Sequence, residues 1–205
     1  MAQTDTPFDR LAAADGELLD LEEYGKEFYR EFRGIEGVIW KLERAQTFDE
    51  GDHPSWRAML AGEWERSLAL LEEARERMAD DLPPKGELRR LRIVDLPPTP
   101  YLQWELHLLA IRAALGERGR VLGLSAVAHL ERVAPLPELV ILAPALAYRV
   151  HYDEAGACTG ARRITDPELI RPCAEALAGL YASAEPLPDF FEREIRPLPP
   201  PRPVR

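Results

Sequence analysis

The spacing of apolar and polar positions changes along the chain, and the changes organise it. From Leu88 to Val94 the residues alternate with a period of two, Leu91 and Ile93 on one side and Arg90, Arg92 and Val94 on the other, as in a strand. Between Thr99 and Leu115 the period lengthens. Trp104, Leu108, Ile111 and Leu115 recur at helical steps, Thr99 can cap the start, Pro100 suits the first helical position and Gly116 can end it. Arg120 to Leu124 reads as a strand again, so this stretch predicts a strand–helix–strand unit with parallel strands. After a short helical or looped piece over Ser125 to Arg132, the apolar runs Leu139 to Leu142 and Leu146 to Tyr152 predict two antiparallel neighbours, closed by a turn at Tyr152–Gly156. Asp166-Pro167 opens a long helix through Tyr181, and Pro186 to Ile195 adds a short one.

Upstream, Leu18 to Phe32 and Glu63 to Met78 carry helical stripes, the second through Trp64, Leu68, Leu71 and Met78. Between them, Gly51 to Trp56 reads as a loop with a helix start that runs to Leu60. Charge divides at Pro83-Pro84-Lys85-Gly86: residues 1–84 hold 21 acids against 10 basic residues, a net of -11, and the remainder stands at +1. The expected organisation is an acidic helical module over 1–84 packed on the core, an α/β domain over 85–195 with a mixed central sheet and flanking helices, and a proline-rich mobile tail over 196–205.

A net charge of -10 opposes a dedicated nucleic-acid surface, because a phosphate backbone repels that balance unless a basic patch overrides it. No apolar run has the length of a membrane span, and the opening MAQTDTPFDR lacks the basic and apolar regions of a signal peptide, so a cytoplasmic protein is expected. Cys158 and Cys173 form no CxxC pair and predict free thiols rather than a zinc site. His53, His107, His129 and His151 are scattered, and no glycine-rich phosphate loop is present. Neither a metal, a cofactor nor a catalytic residue is assigned on these grounds.

The candidate binding chemistry gathers where the arginine-bearing strand meets the aromatic start of the helix. Arg90 and Arg92 share a strand face and can hold a carboxylate or phosphate, while Tyr101 and Glu105 lie one turn apart on the helix, with Arg112 two turns further on near the same face. Two readings stay open. In one, Arg90, Arg92, Tyr101, Glu105 and Arg112 line a polar pocket for a ligand or partner; in the other, the charged groups pin helix to sheet and Tyr101 is a half-buried core residue.

The segments Trp40-Lys41-Leu42-Glu43-Arg44, Ser55-Trp56, Gly62-Glu63-Trp64-Glu65, Arg90-Leu91-Arg92-Ile93-Val94, Pro98-Thr99-Pro100-Tyr101-Leu102-Gln103-Trp104-Glu105-Leu106 and Asp166-Pro167 resemble an uncharacterised actinobacterial domain family, over about Leu18 to Phe191. Members of that family are often encoded beside helix-turn-helix regulators. The C-terminal half is similar in outline to effector domains fused to such regulators, a phospholipase D-like α/β sandwich, although no histidine here is followed two residues later by lysine. The resemblance implies a noncatalytic descendant of that layout. Taken with the charge and the apolar pattern, the expected protein is a cytoplasmic regulatory module that binds a protein partner, with a DNA-binding regulator as candidate, no direct contact with nucleic acid or membrane, and a small-molecule pocket or a homo-oligomer as further options. The competing expectation is a hydrolase of phosphate esters, with Arg90 and Arg92 holding the anion and Glu105 or a histidine as general base.

Overall fold

A computed structural model describes residues 5–142 and 144–201. Their elements, in chain order, are α1 (Pro7–Ala12), β1 (Glu17–Asp20), α2 (Leu21–Gly34), β2 (Val38–Glu43), α3 (Pro54–Leu60), α4 (Trp64–Glu73), α5 (Arg75–Asp80), β3 (Glu87–Val94), α6 (Pro100–Ala114), β4 (Arg118–Gly123), α7 (Leu124–Val127), β5 (Leu139–Leu142), β6 (Leu146–Tyr152), β7 (Cys158–Ile164), α8 (Pro167–Ser183), β8 (Glu185–Pro186) and α9 (Leu187–Phe190), the last followed by a π-helical turn Phe191–Ile195. The strands form one mixed sheet of eight in the order β1-β7-β6-β5-β2-β3-β4-β8. The neighbours β2, β3 and β4 run parallel, and the other pairings are antiparallel. Helices cover both faces, which gives the expected α/β architecture.

Strand alternation divides the core. Trp40, Leu42, Leu91, Ile93 and Ile141 face Ile170, Cys173 and Leu177 of α8 together with Phe8 and Leu11 of α1. On the opposite face, Ile39, Leu88, Val140 and Tyr148 meet Phe32 of α2. α6 lies on this second face and is enclosed on two sides. Tyr101, Trp104 and Ile111 pack into the layer of α3, α4 and α5, whereas Leu102, Leu106 and Leu109 pack with Val94, Val121 and Phe190. The expected stripe through Trp104, Leu108, Ile111 and Leu115 is therefore only one of two apolar sides. Thr99 caps α6 by accepting from the Leu102 amide at 3.1 Å, and Gly116, at φ +117°, carries the chain out of the helix with a conformation that side chains disfavour.

The first 84 residues correct the expectation of an acidic helical module. They supply β1 and β2, and β2 is an inner strand between β5 and β3. The Pro83–Gly86 break thus lies within the crossover from β2 to its parallel neighbour β3 and divides no core. Leu18 and Leu19, expected in a helix, lie in β1 because Asp20 starts α2: its side chain accepts from the Glu23 amide at 2.9 Å while Glu23 returns a bond to the Asp20 amide. The Glu63–Met78 stripe is split at Ala74, whose N–H is shared between the Leu70 and Leu71 carbonyls. In the expected mobile tail, Pro199 is tied to α6, its carbonyl accepting from Gln103 Nε2 at 2.8 Å; residues 202–205 lie outside the described ones. No helix among the described residues is long and apolar enough to cross a membrane.

Candidate functional site

The site begins with the register of two strands. Lys41 lies opposite Arg90 and Glu43 opposite Arg92, and alternation turns all four toward the face that carries α6. Arg90 is buried and bridges two carboxylates, donating through Nε to Glu117 and through Nη1 to Glu43. The second oxygen of Glu43 lies 2.8 Å from Lys41 Nζ, and the second oxygen of Glu117 accepts from Arg112 Nε at 2.6 Å. Gly116 positions Glu117 by ending α6 just before it. Burial alone would raise the pKa of Glu43 and of Glu117, but the adjacent cations, Arg90 foremost, hold both below the ordinary carboxylate range.

Arg92 has no exposed surface at all. Its Nε donates to Glu105 Oε2 at 2.8 Å, and Nη1 donates to the Glu43 and Ile93 carbonyls, each at 3.2 Å. Burial pushes the Glu105 carboxyl up while Arg92 pulls it down. Tyr101, one turn earlier on α6, points its single phenol proton at two acceptors, Glu50 Oε1 at 2.7 Å and Glu105 Oε1 at 3.2 Å. Burial, then the flanking Glu105 and Glu50 carboxylates, push its pKa far above the ordinary phenol value.

Above this network lies a cavity of about 460 Å³, bounded by the sheet, α2, α6, the Phe48–His53 loop and the end of α5. Arg90, Tyr101, Glu105 and Arg112 line it, while Arg92 lies beneath. Phe48, Tyr101 and Trp104 form a continuous aromatic wall, with ring centroids 5.6 Å and 5.8 Å apart in sequence, and Tyr152 packs on Phe48 in a tilted contact at 4.5 Å. Gly156 seats the Phe48 loop, its carbonyl accepting from the Asp49 amide at 3.0 Å. Among the described residues, no group of three or more His, Cys, Asp or Glu side chains is placed to hold a metal ion.

All five candidate residues thus come together, in two separate ion-paired groups. Glu105 pairs with Arg92 and accepts from Tyr101, whereas Arg90 and Arg112 share Glu117. Sequence reasoning missed Lys41, Glu43, Glu50 and Glu117. The alternation Ile39, Lys41, Glu43 against Trp40, Leu42 was the available sign that two charges lie on an inner face; nothing local marks Glu117.

A family model described as a domain of unknown function (DUF6879) matches residues 26–192. The chain belongs to the DUF6879 family. No curated protein matches it. Among solved structures it is similar to TrmBL2, an archaeal chromatin protein with a novel mode of DNA binding, at 10% identity and a TM-score of 0.44, over 90% of this chain and 57% of that one. The chain thus spans just over half the length of that protein.

Proposed function

We propose that the protein is a noncatalytic cytoplasmic regulatory module that holds a small molecule in the cavity and engages a protein partner, with a helix-turn-helix transcription regulator as the first candidate. The observation that carries this reading is the engagement of the cavity's buried carboxylates: every carboxylate oxygen of Glu43, Glu105 and Glu117 already faces a cation or the Tyr101 phenol. A general base needs a carboxylate or imidazole turned toward a reacting group, and these carboxylates are spent on holding the walls. The cavity volume of about 460 Å³ falls within the range of small-molecule sites. The resemblance to domains encoded beside helix-turn-helix regulators supports the choice of partner, and the charge of -10 supports contact with a protein rather than with DNA. The competing hydrolase would need Arg92 beside Arg90 to hold a phosphate, whereas Arg92 is fully buried and engaged by Glu105 and two main-chain carbonyls.

The test is affinity capture from the native host, followed by rebinding of the purified partner and an assay with p-nitrophenyl phosphate. The expected result is a DNA-binding regulator that rebinds directly, with no phosphate release. Turnover that is lost in Glu105→Gln would overturn the proposal in favour of the hydrolase.

A further inference from the structure

We infer that the cavity selects a flat aromatic ligand bearing one negatively charged oxyanion group. The inference rests on the proposed small-molecule site and names its ligand class.

The first argument is the charge of the floor. Lys41, Arg90, Arg92 and Arg112 stand against Glu43, Glu105 and Glu117 in ion pairs, and nearby Glu138, whose pKa burial raises to about 7 and which pairs with none of these cations, offsets the remaining positive charge only in part. A buried charge is costly unless paired, and a monoanion balances this floor. Donor capacity gives the second argument. The floor carboxylates are engaged at both oxygens, whereas Lys41 has three N–H groups with one carboxylate beside it, and its side chain remains 32% exposed. Arg90 Nη2 and both Nη groups of Arg112 carry no hydrogen bond among the described residues. The unspent groups are therefore donors, which fit an acceptor-rich head group.

The wall of Phe48, Tyr101, Trp104 and Tyr152 supplies faces and edges for an aromatic ring. Asp49, Glu50, Asp80 and Asp81, with Arg33, also border the cavity, but these are exposed residues. Water and salt weaken their field relative to that of the buried floor. Their excess of negative charge opposes a more highly charged ligand, which favours a monoanion over a dianion.

Three probes with one ring system separate the alternatives: 2-naphthoate, 2-naphthyl phosphate and 2-naphthylmethylammonium, titrated calorimetrically against the intact chain. The expected order is naphthoate first, the phosphate weaker and the ammonium weakest. Naphthoate binding should fall at least tenfold in Lys41→Gln and in Arg112→Gln, each checked for native circular dichroism, and stay unchanged in Lys26→Gln, which removes the same charge from an exposed helix. Tighter binding of the ammonium or the phosphate overturns the ligand class while leaving a small-molecule site in place. Naphthoate binding that neither cavity variant weakens overturns it too, since the probe then sits elsewhere. Binding of none of the three removes both this inference and the small-molecule part of the proposed function.

Discussion

Arg92 and Glu105 form an ion pair of 2.8 Å between β3 and α6, and neither side chain has more than 7% of its surface exposed. Arginine keeps its charge under all ordinary conditions, so the pair fails asymmetrically. Glu105→Gln keeps the volume but leaves a buried guanidinium uncompensated, and should lower stability by about 3 to 5 kcal/mol. Replacing both partners by apolar residues, Arg92→Met with Glu105→Leu, should recover most of that loss. Urea denaturation of the two variants measures the difference; a Glu105→Gln protein as stable as the parent would show that the pair does not hold helix to sheet.

Trp104 is held from its polar end as well as its apolar body. Its indole Nε1 donates to Ser55 Oγ at 2.8 Å, and Ser55 and Ser67 bond to each other's main chain in a fully buried pair of serines. Ser55→Ala removes few atoms but leaves the indole N–H without its partner, an expected cost of about 1 to 3 kcal/mol. Trp104→Ala, which also opens a cavity, should cost about 3 to 5 kcal/mol. Equilibrium unfolding ranks the two, and a silent Ser55→Ala would mean that the indole finds another acceptor.

Gly156 fixes the cavity's aromatic wall from behind. It sits at φ +87°, and a Cβ there would lie 3.1 Å from Phe48 Cα and 3.2 Å from the Asp49 amide nitrogen. Both the backbone conformation and the contact oppose a side chain. Gly156→Ala should cost about 1 to 3 kcal/mol and displace the Phe48 loop, lowering the melting temperature. It should also speed alkylation of Cys158, a thiol bordering the same cavity, while Cys173 stays protected in the core. Unchanged Cys158 reactivity would show the loop to be held by other contacts.

How legible these features were depended on whether their cause is local. The strand with Arg90 and Arg92, α6 with its Thr99 cap and the start of α8 at Asp166-Pro167 follow from alternation and capping, which short stretches of chain display. β1 and β7 do not. Leu18-Leu19 fits a helix equally well, and β7 carries Thr159, Gly160, Arg162 and Arg163, which dilute its alternation; the two strands are defined by pairing with each other and with β6. The same holds for the site. Tyr101 and Glu105 are one helical turn apart and could be read together, whereas Glu43 reaches Arg90 only through strand pairing across 47 positions, and Glu117 through the return of α6 into β4.

Two partly buried groups should oppose each other in the pH dependence of stability. Glu138 accepts from the Arg44 and Ala45 amides through one oxygen, while burial, reinforced by nearby Glu43, pushes its pKa up to about 7. Between the unfolded carboxylate value and 7 the folded state holds the extra proton. The Glu138 contribution is therefore complete at low pH and is lost as pH rises through that window. His107 behaves in the opposite sense: burial, then Arg196, lowers its pKa to about 4, so the unfolded state takes up the proton first as pH falls below the usual histidine value. Its contribution is complete above about 6.5 and is lost as pH falls toward 4. The two slopes overlap and partly cancel in the parent protein. Removing one should expose the other: relative to the parent, Glu138→Gln should gain stability as pH rises from 4.5 to 7, and His107→Gln should lose it from 4 to 6.5. Urea unfolding at half-unit pH steps reads both differences, and parallel pH profiles for parent and variants would refute the opposed pair.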